Sequence, residues 1–119
     1  MSLSLNASER VSAQGATAPR VSLDDIHKAV MGVEYFTVGD ALDAMGMPHP
    51  GASMTNLHIL TLCVVALDNG FVVIGKSAPA SPENFDAGKG RLFAYEDAIR
   101  QIWPLMVGFA LRERLAQEK

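Results

Sequence analysis

Positive charge is scarce in this sequence and is nowhere concentrated. Ten Lys and Arg residues stand against thirteen Asp and Glu residues, so the formal net charge is −3 at pH 7. A protein that binds nucleic acid through its phosphates needs clustered cations. The composition therefore argues against nucleic acid as a partner.

Cysteine and long apolar stretches are scarce as well. Cys63 is the only cysteine, so no disulfide can form within the chain, and a reducing compartment is expected. No run reaches the roughly 18 apolar residues of a membrane span, and the first residues lack the apolar core of a signal peptide. We therefore expect a cytoplasmic protein without a membrane partner.

Groups that could support catalysis or bind metal are few and scattered. His27, His49 and His58 show no metal-ligand spacing, and the acidic pairs have no neighbouring nucleophile and base. We therefore expect no metal, no cofactor and no enzymatic activity.

One nucleotide-binding pattern does occur, at residues 70–77. The sequence GFVVIGKS satisfies the P-loop pattern, which requires a glycine-rich turn that opens a helix. Here the intervening residues Phe71–Ile74 are strand formers, and APA follows in place of a helix. We interpret the match as accidental.

The first half of the chain predicts a tail followed by short helices. Residues 1–20 are rich in small polar residues and predict a disordered tail, so that 21–119 form a single domain. A capping-box pattern predicts a helix over 23–31, and a second helix is expected over 38–44 with Thr37 as its N-cap. The Pro- and Gly-containing stretch 47–56 predicts a loop.

The centre of the chain predicts a β-hairpin. Two apolar runs, at about 57–67 and 71–78, flank Asn69 and Gly70, which favour a tight two-residue turn. That turn would pair Leu67 with Val72. Two strands alone are marginal in water, and the first run is apolar on both faces, so we expect a homo-oligomer in which sheets of neighbouring subunits pair or stack.

The C-terminal third predicts a long helical segment after a short turn that begins near Pro82. Pro104 should kink this segment or divide it. The expected fold class is α+β, a hairpin packed with short N-terminal helices and a Pro-kinked C-terminal helical segment. The apolar positions of this C-terminal segment follow helical spacing and form one stripe: Leu92, Tyr95, Ile99, Ile102, Met106 and Phe109.

Several polar residues follow the hairpin and are candidates for ligand binding. Ser81 and Asn84 lie near a helix start, where such residues bind anions but also serve as caps. Arg91 and Arg100 could hold a phosphate or carboxylate, or could form an exposed helix face. Both interpretations are open from the residues alone.

The order of segments from the hairpin onward resembles a known family. The matching segments are LTLCVVAL (60–67), NGF (69–71), GKSA (75–78), SPENFD (81–86), AYEDA (94–98), IWPL (102–105) and LRERL (111–115). Together they resemble the small tailed-phage and prophage family named after gene products forty-nine and sixty-six. The resemblance covers about residues 22–116 and implies a small protein encoded in phage or prophage genomes, without an established enzymatic activity. The cytoplasm expected above would then be that of the bacterial host.

The chain departs from the family pattern at three places, all near the predicted turn. Lys76 stands where relatives have an acidic residue, Pro79 where they have Cys, and Gly88-Lys89 where they have Glu-Ile. The lysine of the P-loop match is thus incidental to the family. The loop from Pro79 to Gly90 need not be shaped as in relatives.

A second similarity, in size and in the hairpin followed by a helix, is to phage proteins called Thoeris anti-defence one, which sequester cyclic nucleotide signals. It implies a non-enzymatic binder of a host nucleotide, with Phe71, Asn84 and Arg100 as the first residues to test beside Ser81 and Arg91. The alternative is an adaptor or inhibitor that acts on a host protein through the apolar helical stripe or through the N-terminal tail. An enzyme is the least favoured hypothesis.

Overall fold

The computed structural model describes residues 5–13, 20–47 and 51–118, and in these ranges it shows an α+β fold. One antiparallel sheet of three strands packs against a long C-terminal helix, which confirms the expected fold class. The elements are α1 (Leu5–Ala13), α2 (Leu23–Ala29), β1 (Val30–Thr37), α3 (Val38–Ala44), α4 (Gly51–His58), β2 (Thr61–Leu67), β3 (Val72–Ser77), a 3₁₀ turn (Pro82–Asn84) and α5 (Ala87–Gln117).

The strand order is β1-β2-β3, so β2 lies in the middle. Side chains of β2 alternate strictly between buried and half-buried. The buried set, which includes Cys63, Val65 and Leu67, faces α5, because it forms one core cluster with Ala98 and Ile102 of that helix. The other face of the sheet is the more exposed one.

Helix α5 can lie close to the sheet because β3 has a glycine at the contact. A Cβ on Gly75 would stand 2.0 Å from the carbonyl oxygen of Ala94 and 2.9 Å from the Cβ of Ala98. The helix continues through Pro104 as one element of 31 residues, so of the two predicted alternatives, a kink or a division, the division is excluded. Within the described ranges, no helix combines the length and hydrophobicity that crossing a membrane requires.

The predicted first helix is too long by two residues, and a whole strand follows where none was expected. Ser22 caps α2 through a reciprocal capping box with Asp25, as predicted. Val30 and Met31, however, belong to β1, which pairs antiparallel with β2. A register shift between Val30 and Gly32 breaks the alternation of side chains, and this irregularity conceals the strand in the sequence.

The hairpin exists, but its first strand is shorter and its register differs by one residue from the prediction. Strand β2 begins at Thr61 rather than near residue 57, and Val72 pairs with Ala66, not with Leu67. The Leu67 amide instead donates to the Phe71 carbonyl at 2.8 Å, which leaves a three-residue loop with Gly70 at φ +93°. A left-handed residue closing a three-residue loop is a common alternative to the two-residue turn.

Of the remaining predictions for single elements, those for α3 and for the P-loop match are confirmed, and the one for the loop that follows α3 is partly wrong. Helix α3 has the predicted bounds and the Thr37 N-cap. The predicted loop over 47–56 is wrong in its second half, where α4 begins at Gly51, and 48–50 lie outside the described residues. Residues 72–77 of the P-loop match form strand β3, as the rejection of that motif requires.

The N-terminal segment contains a helix within the stretch predicted as a tail. In α1, Leu5 is buried in the core cluster, and Glu9 forms a two-bond ion pair with Arg20 at 2.9 and 3.0 Å. The hydrogen bond from Arg20 is the main reason that the pKa of Glu9 is lowered. Residues 1–4 and 14–19 of that stretch lie outside the described residues, and the boundary of the single domain at residue 21 stays a prediction.

Candidate functional site

A cleft of about 480 Å³ opens at the end of the sheet where β1 ends and β2 begins. This volume is within the range of roughly 300–1,000 Å³ that small-molecule sites occupy. The sheet supplies one wall, the turn before α5 a second, and the ends of α3 and α4 a third. The lining residues are Tyr35, Phe36, Thr37, Asp40, His58, Ile59, Thr61, Pro82, Phe85, Ala87 and Arg91.

The lining contains a buried hydroxyl group that has no partner. Thr61 is 3% exposed, and its Oγ1 makes no hydrogen bond. A buried hydroxyl left unpaired costs about 1–3 kcal/mol. Gly90 on α5 lies against it, since a Cβ there would stand 2.7 Å from Oγ1. The fold thus holds an unsatisfied, buried polar atom on a residue that lines an open cleft.

A cation and a phenol occupy the same cleft. Arg91, on the second turn of α5, lies close enough to Tyr35 that its charge lowers the pKa of that phenol. The net shift of the Tyr35 pKa is nevertheless upward, chiefly because of burial and then because of Cys63, its cross-strand neighbour. Burial also raises the pKa of the Cys63 thiol. Both groups therefore stay protonated near neutral pH, and Arg91 carries the positive charge of this wall.

The start of α5 adds a polar rim next to Arg91. Asp86 is the N-cap and accepts a hydrogen bond from the Lys89 amide at 3.0 Å, which is the main reason that its pKa is lowered. Ser81 precedes the 3₁₀ turn and Asn84 ends it, and the Asn84 amide donates to the Ser81 carbonyl; of this turn, Pro82 lines the cleft. The Ser81 hydroxyl donates to Glu83.

The opposite rim is a histidine held by two aspartates. His58 Nε2 lies 2.8 Å from an oxygen of Asp43 and 3.8 Å from one of Asp40. The ring rests on Gly39, where a Cβ would approach it to 2.5 Å. The three side chains have ligand atoms within 4.8 Å of one another, a spacing that can hold a divalent cation. Both carboxylates are exposed, and we assign no metal to this group.

The structure brings together some of the residues that the sequence selected. Arg91 lines the cleft, whereas Ser81 and Asn84 are the N-cap and the last residue of the turn whose Pro82 lines it. Phe71 lies at the hairpin loop, where its ring contacts Phe109 at 5.3 Å. Arg100 is exposed on α5, nine residues beyond Arg91, which is roughly 14 Å along the helix. The role of all five residues in binding stays a prediction.

Sequence reasoning missed most of the cleft. Tyr35 and Thr37 belong to the strand that was not predicted, and Thr61 was assigned to the middle of a strand rather than to its first position. His58 was expected in a strand, where it could not reach the aspartates of α3. The spacing of Asp40 and Asp43 on one helix face was the single available signal, and it was interpreted as a solvated surface.

Fold and cleft together define a class: small α+β proteins with a single sheet, one covering helix and a ligand-sized opening at the strand ends. Comparison with known proteins narrows this class. The model of a phage protein family, described as the N4 Gp49/phage Sf6 gene 66 family, matches residues 21–115. The chain belongs to this family and is a phage accessory protein. No curated protein and no solved structure gives a significant match.

Proposed function

We propose that this phage accessory protein binds a small nucleotide-type molecule of the bacterial host in the strand-end cleft, without converting it. The observation that carries the proposal is the buried hydroxyl of Thr61, which lacks a partner beside an open cleft. Buried polar groups are satisfied in most native structures, and the exceptions call for an explanation. A bound ligand that hydrogen-bonds to Oγ1 supplies one.

The chemistry of the walls agrees with a ligand that has both a flat ring and negative charge. Tyr35, Phe36 and Phe85 offer aromatic surface, on which a base can stack. Arg91 offers a guanidinium group for a phosphate. The first turn of a 31-residue helix lies at the same wall and favours anions.

Binding without conversion is the proposed activity, and the host cytoplasm is the proposed location. Sequestration of a signal molecule requires affinity and no catalytic group, so a stacking surface, one cation and one hydroxyl are sufficient. The general similarity to nucleotide-sequestering phage proteins supports the same choice. The protein would then act in proportion to its amount.

Isothermal titration calorimetry against cyclic nucleotides and ADP-ribose derivatives tests the proposal. The wild-type protein should release or absorb heat with at least one member of the panel. Arg91→Ala should weaken that binding about tenfold or more, because a charge-assisted hydrogen bond is lost. Arg112→Ala is the matched control, an exposed arginine on the same helix outside the cleft, and should leave affinity unchanged. No heat with any panel member, or equal losses in both variants, would contradict the cleft as the site.

The substitution Thr61→Val separates binding from stability. Valine has the same shape as threonine and removes the unpaired hydroxyl, so the free energy of unfolding should rise by about 1–3 kcal/mol. Ligand affinity should fall at the same time, because Oγ1 is the group that the ligand satisfies. Urea unfolding and calorimetry measure the two effects. A loss of stability would show that the hydroxyl has a structural partner, and would remove the main support for the proposal.

A second candidate function is an adaptor that acts on a host protein through the end of α5. Val107, Leu111 and Leu115 follow helical spacing and are 46–48% exposed, and a shallow groove of about 360 Å³ runs along the same turns. A helix with such a stripe can lie in the groove of a partner. Leu111→Asp together with Leu115→Asp should then abolish recovery of a specific partner from bacterial lysate while leaving nucleotide binding intact.

A further inference from the structure

The face of the sheet that points away from α5 is apolar and largely uncovered. Cross-strand partners share a face, and the partners on this side run from β1 through β2 to β3. Val72 and Ile74 are 60% and 53% exposed, and Phe36 is 39% exposed. We call this surface the open face; its apolar side chains are Phe36, Leu62, Val64, Ala66, Val72 and Ile74.

The lateral edge at β3 is closed to a further strand. The Lys76 amide donates to Asp97 on α5 at 2.9 Å, and Gln101 of the same helix donates to the Ile74 carbonyl at 2.9 Å. These are the outward backbone groups with which an added strand would have to pair. Association through β3 would break both bonds, so the sheet is more readily covered on its open face.

Two opposite charges flank the apolar centre of the open face. Glu34 lies on β1 level with Val64, and Lys76 lies on β3 level with Leu62. The two residues are therefore on opposite edge strands and one pleat apart along the strand direction. Within a single copy β2 separates them.

A second copy can use these charges in only one of the two simple symmetric arrangements. A two-fold axis parallel to the strands places β1 of each copy over β3 of the other, and Glu34 then reaches diagonally towards the partner's Lys76. An axis across the strands places β1 over β1 and β3 over β3, which brings like charges to the same side. Because opposite charges attract across an interface and like charges repel, the axis parallel to the strands is favoured and the axis across them is disfavoured.

We propose that two copies of this chain stack through their open faces, with β1 of each copy over β3 of the other and with two reciprocal Glu34–Lys76 pairs at the rim. Three strands about 4.8 Å apart give a small footprint, well below the roughly 800 Å² per partner of a standard interface. The dimer is therefore weak and depends on protein concentration. Phe36 borders both the open face and the cleft, but neither charge lines the cleft, so the charge variants test the dimer without altering the proposed binding site.

Charge reversal tests the arrangement, with sedimentation equilibrium of the full chain without ligand as the measurement. Glu34→Lys and Lys76→Glu should each weaken the dimer about tenfold, because each creates two like-charge contacts. The double variant, which exchanges the charges, should restore the dissociation constant to within about threefold of wild type. Ile74→Asp, at the apolar centre, should abolish the dimer.

Matched controls exclude an effect of net charge or of folding. Lys28→Glu changes the net charge as Lys76→Glu does, at a side chain that is 75% exposed on α2, and should leave the dimer unchanged. Glu113→Lys is the equivalent control for Glu34→Lys. Circular dichroism should show the same helix content in all variants.

Three outcomes would overturn the proposal. The first is a wild-type protein that stays monomeric at sub-millimolar concentration. The second is a dimer indifferent to both single reversals, which would point to side-by-side addition at β1, since Lys76 lies two strands away from that edge. The third is a double variant as weak as the single ones.

Discussion

Close contact between α5 and the sheet depends on a single residue, Gly75. Gly75→Ala would place a Cβ against the backbone of α5, at 2.0 Å from the Ala94 carbonyl and 2.6 Å from the Ala98 amide. Neither backbone atom can rotate away, so the helix must move off the sheet. We expect the free energy of unfolding to fall by about 3 kcal/mol, in line with overpacked cores.

Urea unfolding of Gly75→Ala and of Gly108→Ala checks this expectation. Gly108 lies within α5 itself, away from the sheet, and a Cβ there meets nothing within 4 Å. Alanine at position 108 should therefore raise stability by about 0.5–1 kcal/mol through helix propensity. Equal effects of the two substitutions would mean that the contact at Gly75 does not limit packing.

At the level of single residues, the sequence shows which side chains could bind a ligand better than it shows which side chains lie close together in the fold. Arg91 was selected because guanidinium groups bind anions, and it does line the cleft. Thr61 carried no signal, because its importance comes from being buried without a partner, which depends on β1 and on Gly90 of α5. Such a property arises from three distant segments, and no local pattern in the chain encodes it.

The helix α5 contains a residue that ordinarily ends helices. Pro104 has no backbone N–H and lies exposed inside the helix. Pro104→Ala restores the donor for the preceding turn, so we expect an increase of about 1–2 kcal/mol in the free energy of unfolding, less than the roughly 3 kcal/mol of a full proline penalty. Thermal unfolding followed by circular dichroism measures it, and a decrease would show that the core requires the backbone geometry imposed by the proline.

Element by element, the sequence predicts regular patterns and misses interrupted ones. The α3 helix and the hairpin have strong local signals, a cap in one case and Asn-Gly between apolar runs in the other. Strand β1 was missed because a register shift near Gly32 interrupts the alternation, and because an edge strand shows mostly exposed side chains. The hairpin register was wrong by one residue because Asn-Gly fits both a two-residue and a three-residue loop.

For the whole molecule, the lowered pKa values predict a loss of stability in acid. Hydrogen bonds lower the pKa of Glu9, Asp25 and Asp86, the main donors being the Arg20 side chain and the backbone amides of Ser22 and Lys89. The folded protein therefore binds fewer protons than the unfolded chain in this range. The stabilisation from these carboxylates is complete at pH values above the ordinary carboxyl pKa of the unfolded chain. It is lost as the pH falls through the lowered pKa values of the folded protein.

Urea midpoints measured from about pH 7 down to about pH 3 should show this loss below about pH 4.5. Glu9→Gln should make the acid dependence less steep, because one of the titrating groups is removed while its contact with Arg20 is partly kept. An unchanged midpoint across the range would contradict the assignment of these carboxylates as stabilising. The measurement needs no ligand and no dimer.

Closure of one sheet margin by Asp97 and Gln101 has a further consequence at high protein concentration. Fibrils lengthen when every new chain offers a fresh edge to the next, and here the helix terminates that process on one side. Stacking through a single two-fold axis is also self-limiting, since it uses the same surface on both members. Accumulation of this protein in an infected cell should therefore produce discrete pairs and not insoluble filaments.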